Sequence, residues 1–169
     1  MKKVLLMGLV AAVLFGVFIY FQGLLGAQAF FLAAIALAFF VTLGPNGEFF
    51  KMGLSMLLGL VIGLAGIFVL AIAFPLPPYN TGYVAVVSAV SLFLALLLSA
   101  VGLRLDGLLI GWGGLYAAVY PLYQNDPTVL ASAGVPAAVG AAVSLLVGLV
   151  LGLFILKMAV ASAAREGGS

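Results

Sequence analysis

The chain contains no cysteine and no histidine, and only 6% of its residues are charged. Without cysteine there is no disulfide framework and no thiol nucleophile. Without either residue there is no Cys/His metal site, imidazole base or haem ligand. The scarcity of charge excludes more. A soluble domain carries about 25% charged residues. This chain cannot cover a water-facing surface, and 67% of it is hydrophobic. It reads as an all-α, polytopic membrane protein. The hydrocarbon core of a bilayer needs ~20 apolar residues per helix. The 169 residues, with short loops, therefore hold six helices in a single integral membrane domain. The net charge of +2 is too small to argue for nucleic acid as a partner. The implied partner is the lipid bilayer.

What is present is a series of apolar runs and breakers. The runs predict spans at about 4–24, 28–43, 52–74, 83–103, 107–123 and 137–158. The second ends at Gly44-Pro45-Asn46-Gly47 and the third at Pro75-Leu76-Pro77-Pro78. Pro136 opens the sixth at a favoured first-turn position. The N-terminal MKK and the later Ala27-Gln28-Ala29 resemble a signal peptide with its cleavage site. The apolar stretch between them is longer than the ~7–15 residues of such a segment, so the first helix is read as retained.

With six spans, all six basic residues fall on one side: Lys2, Lys3, Lys51, Arg104, Lys157 and Arg165. The other side has no base and one acid, Asp126. This is the positive-inside pattern, and it predicts that both termini are cytoplasmic in the inner membrane of a cell.

The chain also repeats itself. SMLLGLVIGL at 55–64 and SLLVGLVLGL at 144–153 share seven of ten residues. Each follows a polar loop with an asparagine (Asn46, Asn125), and each loop follows an aromatic, alanine-rich run: AFFLAAIALAFF at 29–40 and LLIGWGGLYAAVY at 108–120. The first and fourth spans carry small residues four apart, Gly8, Ala12, Gly16 and Ser91, Ala95, Ser99. Two units of three helices, about 1–80 and 81–169, follow. Because three is odd, the second unit enters the membrane from the opposite side, as an inverted repeat.

The ladders Ser55, Gly59, Gly63 and Gly140, Ser144, Gly148, Gly152 each line one helix face. Small residues at that spacing let helix backbones approach closely. Packing within the chain is the plainest reading. Packing of the third span against the sixth, or a homo-oligomer seam, satisfies the pattern equally.

No ionisable residue lies in the middle of a predicted span. Buried carboxylates and bases mark proton relays and ion sites in membranes. An intramembrane enzyme needs a general base or a metal. The chain is therefore read as neither a proton pump nor an enzyme, and it calls for no cofactor. The most distinctive stretch is the fifth span, where Trp112, Tyr116 and Tyr120 recur every four residues. Such a stripe lines a route for a small neutral solute or a cation, or it belongs to an interfacial belt or packed core, the commoner case. Asn46 and Asn125 flank a midplane site if their loops dip inward. Beside Gly or Pro they read first as turn residues.

The run AFFLAAIALAFFVTLGPNGEFFKMGLSMLLGLVIGLAG, echoed by LLIGWGGLYAAV and SLLVGLVLGL, resembles the YcdZ-like small inner-membrane proteins, a bacterial family of unknown function. That resemblance implies a six-helix inner-membrane protein and supplies no catalytic residue. The functional expectation is a passive facilitator or small transporter of a small neutral or weakly polar solute. The alternative is a non-transporting membrane subunit that docks a partner through its small-residue faces, including a solute-capturing subunit of an energy-coupling importer.

Overall fold

A computed structural model of the protein describes residues 2–21, 24, 29–43, 48–73 and 80–166. Six α-helices follow in chain order: α1 (Lys2–Phe21), α2 (Phe31–Leu43), α3 (Phe49–Phe68), α4 (Thr81–Leu97), α5 (Leu105–Asn125) and α6 (Leu130–Glu166). The described chain is all-α. Among the described residues, three stretches are long and apolar enough to cross a membrane: Phe49–Ala71, Thr81–Val101 and Ser132–Ala164.

The helix ends are set by local chemistry. Asn80 caps α4, its side-chain oxygen accepting from the Tyr83 amide at 3.2 Å. A short 3-10 turn then ends at Gly102, whose φ of 88° lies in the left-handed region that a glycine enters without steric cost. The start of α5 is capped from another helix: the Arg104 amide donates to Ser55 Oγ on α3 at 2.9 Å. Between α5 and α6, Asp126 accepts from the Thr128 amide at 2.9 Å, and Pro127 begins the turn. Pro127 thus takes the first-turn role expected of Pro136, which instead lies inside α6. The sixth helix begins at Leu130, not near Ala137. At 37 residues it is about 56 Å long, beyond the roughly 30 Å of a hydrocarbon core. By the same rise per residue, the 13 residues of α2 reach about 20 Å.

Two helix pairs make the body. In the first, α3 and α5 lie so close that a Cβ on Gly59 would overlap the Leu108 carbonyl oxygen, and one on Gly111 would overlap that of Met56. Gly63 sits over Trp112 and Leu115, and Gly107 over Met52 and Ser55. In the second pair, a Cβ on Gly148 of α6 would overlap the Ala33 carbonyl of α2, and one on Gly152 would stand 3.3 Å from the Leu37 carbonyl. The ladders of α3 and α6 are therefore matched to α5 and α2. The expected alternative, one ladder packing on the other, is not what occurs; α3 and α6 meet beside their ladders, where Gly53 faces Leu149. The two close contacts share a register. Leu108 and Trp112 are spaced as Ala33 and Leu37 are.

The core lies among α2, α3, α5 and α6, with Phe40, Met52, Met56, Ile67, Leu115, Tyr123, Leu145 and Leu149 fully buried. The helices α1 and α4 are peripheral. Phe18 of α1 packs with Ala33, Val143 and Val147 in a small satellite cluster. Gly8, Ala12 and Gly16 are exposed, and nothing lies within 4 Å of a Cβ built on Gly8 or Gly16. Among the described residues the α1 ladder thus takes no part in packing, whereas Ser91 and Ala95, its expected counterparts on α4, are buried. Helix α1 turns Phe15 and Phe18 inward instead. Large apolar side chains such as Leu9, Phe50, Val86, Phe93, Val139 and Phe154 cover the outside, a surface that suits lipid and not water.

Candidate functional site

The stripe on α5 exists as expected. Trp112 and Tyr116 stack with ring centroids 4.3 Å apart, and Tyr116 and Tyr120 at 6.2 Å. Tyr120 continues to Tyr123 at 5.9 Å. The polar atoms of the stripe turn toward α4. The Trp112 indole N–H donates to Ser91 Oγ at 3.0 Å, and the Tyr116 hydroxyl lies 3.2 Å from the same oxygen. Ser91 donates to the Ser88 carbonyl at 3.0 Å. Ser91 is buried and Trp112 and Tyr116 half-buried. In a low-dielectric surrounding an unpaired donor is costly. No buried side-chain nitrogen or oxygen among the described residues lacks a partner.

This convergence depends on Gly66 of α3. A Cβ there would stand 2.9 Å from both the Tyr116 hydroxyl and Ser91 Cβ. The missing side chain lets α3, α4 and α5 meet around one hydroxyl cluster.

Beside the cluster, a groove of about 280 Å³ runs between α3 and α4. Ile62, Ala65, Gly66 and Val69 form one wall, and Val86, Val87, Val90, Ser91 and Leu94 the other. Ser91 is the only polar side chain in the lining. At Val69 the helix widens into a five-residue π turn, Val69–Ala73. Such turns free a carbonyl from the regular ladder and recur at functional places. Here the Tyr83 hydroxyl donates to the Val69 carbonyl at 2.8 Å, giving α4 a polar tie to the end of α3 beside the one that Ser91 gives it to α5.

A charged cluster closes one end of the α3/α5 pair. Arg104 donates to both carboxylate oxygens of Asp106, Nε at 3.1 Å and Nη2 at 2.7 Å. It also lies 3.9 Å from Glu48, which pairs with Lys51 at 3.1 Å. The hydrogen bonds from Arg104 hold Asp106 below the usual carboxylate range against the opposing effect of partial burial, and the Gly107 amide assists. The same bonds raise Arg104. Bidentate geometry of this kind favours the charged forms of both partners.

The other sequence-derived positions separate. Asn125 is the exposed last residue of α5, and the turn that follows is made by Asp126. Asn46 lies outside the described residues. Ser55, Gly59, Gly63, Ser144, Gly148 and Gly152 are buried at helix contacts, and Gly140 is buried with its carbonyl accepting from Ser144 Oγ at 2.8 Å. Sequence reasoning took Ser91 as a small ladder residue and missed it as the centre of a hydrogen-bond cluster. It also missed Gly66 and Tyr83. The available signal was a hydroxyl facing inward from a helix with little other polarity, opposite a helix bearing the chain's one tryptophan.

Comparison of the chain with family models, curated proteins and solved structures finds no match.

Proposed function

We propose that the chain is a six-crossing protein of the inner membrane, both termini cytoplasmic, that acts as a passive facilitator for a small neutral or weakly polar solute bound in the α3/α4 groove. The topology consists of two inverted three-helix units, α1–α3 and α4–α6. Two observations support it, and the short α2 is accommodated by the bilayer. Both close helix contacts use matched positions of the two repeats, Gly59 over Leu108 and Gly148 over Ala33. The ion pair of Arg104 with Glu48 joins the ends that the basic residues assign to one side. The short α2 crosses with local thinning of the bilayer, which costs fractions of a kcal/mol per Å.

The observation that carries the function is the groove itself. Its walls are aliphatic, it holds no charge, and its single polar side chain anchors the Ser91–Trp112–Tyr116 cluster. That lining favours an apolar body with one weakly polar group and rejects an ion. Helix α4 is the element best placed to move and give access: 11% of its most apolar stretch is buried, against 44% for α3.

Solute flux into proteoliposomes, followed by light scattering across a panel of small neutral and charged solutes, tests the function. Flux above empty liposomes is expected for neutral solutes only, falling to background in Val90→Phe, which fills the groove. Flux for none of them would refute a facilitator. Topology has its own test, because the chain has no cysteine of its own. Single cysteines at Lys51 and Asp126 should label from opposite sides of the membrane; labelling from the same side would refute the inverted arrangement.

A second reading is a membrane subunit that docks a partner. The outward Gly8, Ala12 and Gly16 face of α1 favours it, since no described residue lies within 4 Å of a Cβ built on Gly8 or Gly16.

A further inference from the structure

The hydrogen-bond inventory of the groove narrows the kind of solute. A serine hydroxyl has one proton and two lone pairs, and a tyrosine hydroxyl also has one proton to donate. Ser91 spends its proton on the Ser88 carbonyl. One lone pair takes the Trp112 indole N–H. The short contact with Tyr116 must then have Tyr116 as donor, into the second lone pair. Ser91 is saturated, and the Tyr116 proton is committed. What remains is acceptor capacity on the Tyr116 oxygen, which receives no hydrogen bond from the described residues. Tyr116 does not itself line the groove, but its oxygen stands next to Gly66, which does and has no side chain: a Cβ there would lie 2.9 Å away.

We infer that the groove selects solutes carrying a hydrogen-bond donor, an O–H or N–H, which the Tyr116 oxygen receives through the gap at Gly66. The inference rests on the groove being the solute site. A donor group completes the cluster. A solute with only an acceptor, such as a ketone or ether, finds no free proton there and must leave its own oxygen unpaired in an apolar wall, a loss larger than the hydrogen bond it forgoes. Discrimination by donor is also the sharper kind, because a pocket of aliphatic walls separates similar shapes weakly.

The test uses the full-length protein in detergent and its single tryptophan, Trp112, which stacks on Tyr116 at 4.3 Å and so reports changes at that hydroxyl. Cyclohexanol and cyclohexanone, alike in size, are titrated while emission is recorded. Cyclohexanol should bind about two- to tenfold more tightly, the range a single net hydrogen bond supplies. Tyr116→Phe should abolish the preference while keeping the ketone affinity. Gly66→Ala, which presses on the hydroxyl, should weaken the alcohol more than the ketone, and it serves if the phenylalanine variant does not fold. Equal binding of both probes to the wild type would overturn donor selection while sparing the groove as a site. A preference surviving in Tyr116→Phe would overturn the role of Tyr116. No response to either probe would leave the groove to lipid chains and overturn the site together with its selectivity.

Discussion

The α3/α5 pair and the α2/α6 pair start from nearly the same ten residues and end in different states. In the first, glycines approach from both sides: Gly59 and Gly63 on α3, Gly107 and Gly111 on α5. In the second they come from α6 alone, and the positions of α2 that match Gly107 and Gly111 hold Leu32 and Ala36, both buried. The matched serines diverge as well. Ser55 Oγ donates to the Lys51 carbonyl at 2.7 Å and caps α5 by accepting from the Arg104 amide. Ser144 Oγ only returns to its own helix at Gly140. One pair is packed and wired, the other packed. The shared ladder fixes how near two backbones come, and the residues around it decide what else the contact does.

The comparison is broken most severely at the glycines. Gly111→Leu places a branched side chain where backbone atoms of Met56 and Leu60 stand. It should cost about 3 kcal/mol or more, since overpacking that cannot relax exceeds the usual range. Gly59→Leu and Gly148→Leu should follow in the same direction, because a Cβ on either already overlaps a backbone carbonyl of the partner helix. Unfolding in mixed detergent micelles measures all three; wild-type unfolding and elution of Gly111→Leu would contradict the close contact.

A smaller effect separates the serines. Ser55→Ala leaves the Arg104 amide, just before α5, without its partner and should cost ~1 kcal/mol. Ser144→Ala removes only a hydrogen bond to a carbonyl of its own helix and should change stability by a few tenths of a kcal/mol, within the range of a local back-bond. Equal losses would show that the wiring of α3 to α5 adds nothing.

The smallest effect is a pH dependence confined to the first pair. Asp106 is held below its ordinary value, chiefly by hydrogen bonds from Arg104. A depressed carboxylate contributes stability that is fully present above its unfolded pKa and lost as pH falls through the folded one. Unfolding should therefore be insensitive to this group from neutral pH down to about 4, the ordinary carboxylate value, and weaken below it. Asp106→Asn should remove that acid-dependent part. An unchanged acid profile in the variant would remove Asp106 from the account.

Much of this was legible beforehand, for physical reasons. A chain this poor in charge has few places to be, and the apolar runs gave α1, α3, α4 and α5 nearly as found. The ladders announced close backbone approach, but a row of glycines carries no sign of whose backbone approaches. That is why the third and sixth spans looked like partners. The start of α6 was misplaced because two prolines compete for its first turn, and the Asp126–Thr128 bond settles it in favour of Pro127. The stripe on α5 was visible from spacing alone. Its target was not, because Ser91 becomes a hub only when Gly66, from a third helix, leaves room for it.

The partnership of α2 with α6 joins the beginning of the chain to its end. Ala33 faces Gly148, so every residue between them leaves the ribosome before α2 meets the surface that buries it. The α3/α5 seam needs only α4 to intervene. Assembly during synthesis therefore runs inside out: the wired pair closes first, and α2 waits as an unmatched apolar segment. A chain that stops short of α6 has a second helix without the surface that buries Ala33.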